Sequence, residues 1–177
     1  MKRGTIACLA ILMVAGVSAA NAQYVFVGGG ASIPNGDFKD EAKTGWMAQA
    51  GVGFDIAKVK GLWVEAEGFY GSNKHKGEDA KTNLFAGIAA LGYSFMADKK
   101  VSPYVVGGVG ILNHKFVPAT GTSESESKFA YSGGVGIGYN ASSSVHIWLE
   151  GRVLGSKSSR VIPISLGFTY NFAKSKM

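Results

Sequence analysis

Residues 161–172 (VIPISLGFTYNF) place Ile162, Ile164, Leu166, Phe168, Tyr170 and Phe172 on one face of an extended chain. Pro163, Ser165, Gly167, Thr169 and Asn171 fall on the other, so one face is apolar and the other small or polar. The same period of two recurs from residue 24 onward, and no stretch keeps an amphipathic helical period for three turns. The pattern predicts eight strands: Tyr24 to Ile33, Gly45 to Ile56, Leu62 to Gly71, Thr82 to Met96, Val101 to Leu112, Lys128 to Asn140, Val145 to Leu154 and Val161 to Phe172.

The second strand sets Trp46, Ala48, Ala50, Val52, Phe54 and Ile56 against Met47, Gln49, Gly51, Gly53 and Asp55. The sixth sets Phe129, Tyr131, Val135, Ile137 and Tyr139 against Ala130, Ser132 and three glycines. On the seventh, Val145, Ile147, Leu149 and Val153 oppose His146, Trp148, Glu150 and Arg152, and on the third Leu62, Val64, Ala66 and Tyr70 oppose Trp63, Glu65, Glu67 and Phe69. Phe85, Ala89, Leu91, Tyr93 and Phe95 form the apolar face of the fourth. The first and fifth are apolar on both faces around Val25 to Val27 and Tyr104 to Val106, so alternation leaves them unregistered.

Connections alternate in length. Residues 57–61, 97–100 and 141–144 are short, residues 34–44, 72–81 and 113–127 are long, and 155–160 is intermediate. The second, sixth and eighth strands leave mainly glycine, serine and alanine inside, where a soluble ligand-binding barrel would want a larger apolar cavity, and the apolar faces suit lipid. The expected fold is all-β: an eight-stranded antiparallel up-and-down transmembrane barrel, its first strand paired with its last because hydrocarbon tolerates no open edge. Both termini and the three short turns share the periplasmic side, with four loops facing outward. Aromatic girdles are expected from Tyr24, Phe54, Trp63, Tyr93, Phe95, Tyr104, Tyr139, Trp148, Tyr170 and Phe172 near the periplasmic end, and from Trp46, Phe69, Tyr70, Phe85, Phe116 and Phe129 near the outer end, with an inward position at the barrel ends as the alternative for Trp63, Phe69 and Trp148.

The start of the chain fits this destination. Lys2 and Arg3 precede an apolar run from Ile6 to Val17, and Ala20-Asn21-Ala22 offers small residues at the spacing a signal peptidase accepts. Residues 1–22 therefore read as a cleavable signal peptide and 23–177 as one barrel domain. The run is shorter than the roughly 20 residues a membrane anchor needs. Cys8, the only cysteine, leaves with the signal, so no disulfide supports the mature chain. The formal charge of +6 is a mild, scattered excess that lacks the basic stripe and stacking aromatics of a nucleic-acid groove, so no nucleic acid is expected as a partner.

Inside the barrel, Glu65, Glu67, Glu150 and Arg152, joined by Gln49, Asp55 and His146, form the expected polar network. Arg152 can hold carboxylates bidentately, and the excess of acids calls for water, a protonated carboxyl or a further base. Paired carboxylates are also the start of hydrolase chemistry, but a narrow lumen denies substrate access and alternation alone explains their shared face. His75 and His114, near Asp79, Glu124 and Glu126, lack compact metal-ligand spacing. Ser123, Ser125 and Ser127 have no base or oxyanion partner, and the GGVG phrases lack the strand-to-helix context of a phosphate loop. Asn140-Ala141-Ser142 reads as turn chemistry. No catalytic residue, metal ligand or cofactor is assigned.

The glycine-rich strand YVVGGVGI (104–111), the strand YSGGVGIGYN (131–140) and the closing ISLGFTYNF (164–172) resemble the small outer-membrane β-barrel proteins of Gram-negative bacteria, the OmpA-like membrane domains, OmpX-like proteins and opacity-type surface antigens. The resemblance spans residues 23–172 and implies a monomer among outer-membrane lipids and lipopolysaccharide. Phe168, Tyr170 and Phe172 match the terminal signal read by the barrel insertion machinery, although Ala173 to Met177 follow where many relatives end on the aromatic. It implies a structural or surface-interaction role with a largely plugged interior, and a host or envelope ligand would meet Lys39, Asp40, Glu41, Lys74, Lys76, Glu124 and Glu126 on the outward loops. A small nonspecific porin is the alternative, and a lipid-modifying enzyme a more distant one, since no motif of the deacylase or palmitoyltransferase barrels is present. One fold carries all these roles.

Overall fold

The computed structural model describes residues 23–172, apart from 78 and 158, so the predicted signal segment and the tail after Phe172 lie outside the described residues. Eight strands run in order: β1 (Tyr24–Asn35), β2 (Gly45–Asp55), β3 (Leu62–Lys74), β4 (Lys81–Ser94), β5 (Val101–Val117), β6 (Glu124–Asn140), β7 (Val145–Gly155) and β8 (Arg160–Asn171). Each pairs antiparallel with its neighbours, and β1 closes on β8 from Tyr24↔Asn171 to Asn35↔Arg160. Closure satisfies the edge groups that an open sheet would leave bare.

The apolar faces point outward. Trp46, Leu91, Phe129, Val135, Leu149, Leu166 and Phe168 are all exposed, on strands distributed around the wall. A water-soluble monomer rarely shows a continuous apolar patch beyond a few hundred Å². A belt of this kind around a closed barrel belongs in hydrocarbon.

The two strands that alternation left open take one register each. Tyr24 and Phe26 on β1 and Tyr104 and Val106 on β5 turn inward and are buried, while Val25, Val27 and Val105 face out. The neighbouring strands explain the choice. A Cβ on Gly51 or Gly53 of β2 would collide with the Phe26 or Tyr24 ring, and one on Gly136 of β6 with Tyr104. Rings enter where the adjacent strand supplies a glycine. Trp148 of β7 uses Gly28 and Gly167 in the same way, and Trp63 uses Gly92.

This placement corrects the expected girdles at Tyr24, Tyr104 and Phe116 and takes the inward alternative for Trp63, Phe69 and Trp148. Tyr24, Trp63, Phe69, Tyr104, Phe116 and Trp148 lie on the inward faces, and of these Tyr24, Phe69, Tyr104 and Trp148 are buried. The outward bands are left to Phe54, Tyr93, Phe95, Tyr139, Tyr170 and Phe172 at the short-turn end, and to Trp46, Tyr70, Phe85 and Phe129 at the other.

The expected alternation of connection lengths is also corrected: the second long connection shortens to 75–80, no longer than 56–61 or 95–100, and the third shortens as well. Residues 113–117 and 124–127 continue the β5–β6 ladder, with His114 opposite Glu126 and Phe116 opposite Glu124. Asn113 Nδ2 donates to Ser125 and Ser127 Oγ at 2.9 Å, so the expected loop is a hairpin with its turn at 118–123. Both strands have 17 residues, more than the roughly 9–11 that cross a bilayer, and most of the added residues are polar. The Asn140-Ala141-Ser142 segment is a turn as expected: Ser142 Oγ accepts from the backbone N–H of Ser144 and Val145.

Candidate functional site

Arg152 stands on β7 opposite Gly134 of β6, where a Cβ would collide with the Arg152 side chain. With that space its guanidinium crosses the lumen to β3, on the opposite wall. Nη1 donates to Glu67 Oε1 at 2.6 Å, Nη2 donates to Glu65 Oε1 and Glu150 Oε2 at 3.1 Å, and Nε donates to Glu150 Oε1. Tyr104 of β5 donates to Glu150 Oε2 at 3.0 Å. The four charged side chains are between 3% and 7% exposed, so none is solvated from bulk water. One guanidinium holds three carboxylates from two walls, and a tyrosine from a third completes Glu150.

The other residues expected in this network line the same lumen. Gln49 is buried and its Nε2 has no hydrogen-bond partner among the described residues. Asp55 is exposed at the short-turn end, and Gln23 Oε1 accepts from its backbone N–H. His146 meets Asn140 Oδ1 through Nδ1 at 2.9 Å. All three line a cavity of about 650 Å³ that occupies the short-turn half of the barrel and reaches Glu65, Glu150 and Arg152. Lys60 and Asp98 join two turns at its mouth at 3.0 Å. The hydrogen bond from Lys60 holds the exposed Asp98 carboxyl below its ordinary range.

The opposite end is closed by a structure that the sequence pattern did not reveal. Between β1 and β2 lies a single helical turn, α1 (Phe38–Glu41), entered through Gly36 at φ 62°, a conformation that suits glycine. It drops Phe38 into the barrel end, where its ring meets His75 and His114 edge-on, with centroids 6.4 and 5.7 Å away. His75 in turn packs on Phe116 at 5.1 Å and hydrogen-bonds Thr82 Oγ1 at 2.8 Å. Beneath this cap, Ser32 donates to Asn73 Oδ1, and Asn73 Nδ2 donates to the carbonyls of Ser32 and Lys43. Lys76 Nζ donates to the Lys39 carbonyl at 2.6 Å and ties the second loop to the first. His75 and His114 thus serve packing, and no group of three or more metal-holding side chains converges among the described residues.

The available signals for this cap were modest. Phe38 is the single large apolar residue of the 34–44 segment, and Asn73 extends the inward parity of Glu65, Glu67 and Phe69. Phe38→Ala should loosen the cap by about 3–5 kcal/mol, the range for deleting a buried ring. Trypsin should then cut at Lys39 and Lys43 at least about ten-fold faster while the membrane-embedded wall stays resistant. Unchanged cleavage would show that Phe38 does not hold the loop.

Comparison with known proteins agrees with this architecture. No curated protein sequence matches the chain. Among solved structures, Neisserial surface protein A superposes with a TM-score of 0.66 at 16% identity, covering 84% of this chain and 96% of that one. The N-terminal β-barrel domain of Pseudomonas aeruginosa OprF gives 0.55 at 15% identity, covering 85% and 98%. Ail, the attachment invasion locus protein of Yersinia pestis, gives 0.54 at 20% identity, covering 84% and 97%. At these identities the likeness is one of fold. Residues 5–172 match the family described as Outer membrane protein beta-barrel domain, and the chain, with its lipid-facing belt and β1–β8 closure, belongs to that family.

Proposed function

We propose that the protein is a monomeric structural and surface-interaction barrel of the Gram-negative outer membrane, with an interior too obstructed for free diffusion. The observation that carries this reading is the reach of Arg152 from β7 to Glu65 and Glu67 on β3. The Phe38 cap at the loop end supports it. In this reading Glu65, Glu67, Glu150 and Arg152 are structural, the mature chain begins at Gln23, and both termini sit in the periplasm. Phe168, Tyr170 and Phe172 on β8 form the strand that the insertion machinery reads, and the exterior meets lipid and lipopolysaccharide.

An adhesive or envelope contact belongs to the loop end, where Lys39, Asp40, Lys74, Lys76, Glu124 and Glu126 are exposed. The family likeness includes a surface protein and an attachment protein, which favours such a role over metabolism. The test is refolding of residues 23–177 in detergent, comparison of boiled and unboiled gel mobility, and conductance in planar bilayers. A heat-modifiable band without conductance is expected. Soluble monomer without detergent would overturn the membrane assignment.

The porin reading has one observation in its favour, the cavity of about 650 Å³ at the short-turn end. Steady, reproducible channels in the same bilayers would establish it in place of the obstructed barrel.

A further inference from the structure

The cavity is acidic within a chain whose formal charge is +6. Its wall carries Asp55, Glu65, Asp98 and Glu150 against Lys60 and Arg152, and Lys60 is engaged with Asp98 at the mouth. Deeper in, one arginine is shared by three glutamates. The cavity wall and the cluster behind it thus hold more carboxyl groups than cations. Gln49, 7% exposed, projects into the same cavity with its Nε2 unpartnered. A buried amide donor in that state lacks an acceptor that the protein itself does not supply.

The wall also narrows the chemistry of an occupant. Trp63 and Trp148 bring indole rings to the cavity, and Tyr24 and Tyr104 bring phenol rings. Aromatic faces beside carboxylates attract ammonium groups through the ring quadrupole and through charge. A bare divalent ion would need several free oxygen ligands, but both Glu150 oxygens are engaged by Arg152 and Tyr104. The volume, about 650 Å³, suits a small organic molecule. An anion would meet the carboxylate excess.

We propose that this cavity is a binding site for a small organic cation, a protonated or quaternary amine that also bears a hydroxyl or carbonyl oxygen. The ammonium lies against Glu65 and the aromatic rings, and the oxygen accepts from Gln49 Nε2. Entry is from the short-turn end, since the Phe38 cap closes the other. The site is independent of the outward loops, so surface interaction and ligand capture are separable.

The chain has three tryptophans, and Trp46 faces outward while Trp63 and Trp148 line the cavity. In a Trp46→Phe background the indole fluorescence therefore reports on the cavity. Folded protein in a maltoside detergent, whose headgroup carries no amine, is titrated with choline chloride, tetramethylammonium chloride and sodium chloride. Choline should give a saturable change that sodium chloride does not reproduce. Glu65→Gln, which keeps an acceptor for Arg152, should weaken choline binding about ten-fold or more. Gln49→Leu should reduce choline to the affinity of tetramethylammonium, which has no oxygen, and this variant carries the test if Glu65→Gln fails to fold. A linear response, an equal response to sodium chloride, or choline binding unmoved in a folded variant would overturn the proposal.

Discussion

Replacing Arg152 by methionine should cost about 3–5 kcal/mol, the range for removing one partner of a buried ion cluster. The size follows from what remains. Glu65, Glu67 and Glu150 would stay within the lumen without the guanidinium that now donates to all three. Glu67→Gln should behave in the opposite sense, within about 1 kcal/mol of the parent or slightly stabilising, because it removes surplus negative charge and keeps an acceptor for Nη1. Urea unfolding from lipid vesicles, followed by gel mobility, measures both. Equal stability of Arg152→Met and the parent would remove the structural role given to the cluster.

Leu166→Arg should destabilise the inserted barrel by about 2–4 kcal/mol, the cost of a cation near the bilayer midplane on a lipid-facing strand. Leu166 pairs with Gly29 of β1 and Leu149 of β7, near the middle of both ladders, and is 59% exposed. In a water-soluble barrel the same change at an exposed position would fall within about 0.5 kcal/mol. Thr122→Arg, at the tip of the β5–β6 hairpin, should fall in that small range and controls for charge alone. The comparison therefore tests which solvent meets the apolar face. A negligible effect at Leu166 would mean water.

Alternation made most of the wall legible. Where one face is apolar and the other glycine, serine or charge, as on β2, β3, β6, β7 and β8, a slip by one residue would reverse every side chain, so the strand has one tenable register. Glu65, Glu67, Glu150 and Arg152 could be grouped because residues two apart share a face and buried charges need partners. Their geometry was not legible. That Arg152 crosses to β3, and that Tyr104 completes Glu150, depends on which walls stand opposite after closure.

Loop residues were harder for a related reason. Phe38 is one apolar side chain in a polar segment, and it becomes a cap only where His75, just past β3, and His114 of β5 come beneath it. The 113–127 segment has Phe116 and Val117 as its only large apolar residues, so it lacks the sustained contrast that marks a strand, yet its two arms continue the ladder because they run alongside each other in register.

By itself the sequence determined the strand count and the face that meets lipid, since these depend on local period and solvent preference. Only the tertiary structure decided how β1 and β5 turn. Val25 to Val27 and Tyr104 to Val106 offer apolar groups to both sides, so hydrophobicity is silent there. Sterics made the choice: Phe26 and Tyr104 turn inward because Gly51 and Gly136 on adjacent strands leave room for a ring. The complement to each ring lies on another strand, where no local pattern records it.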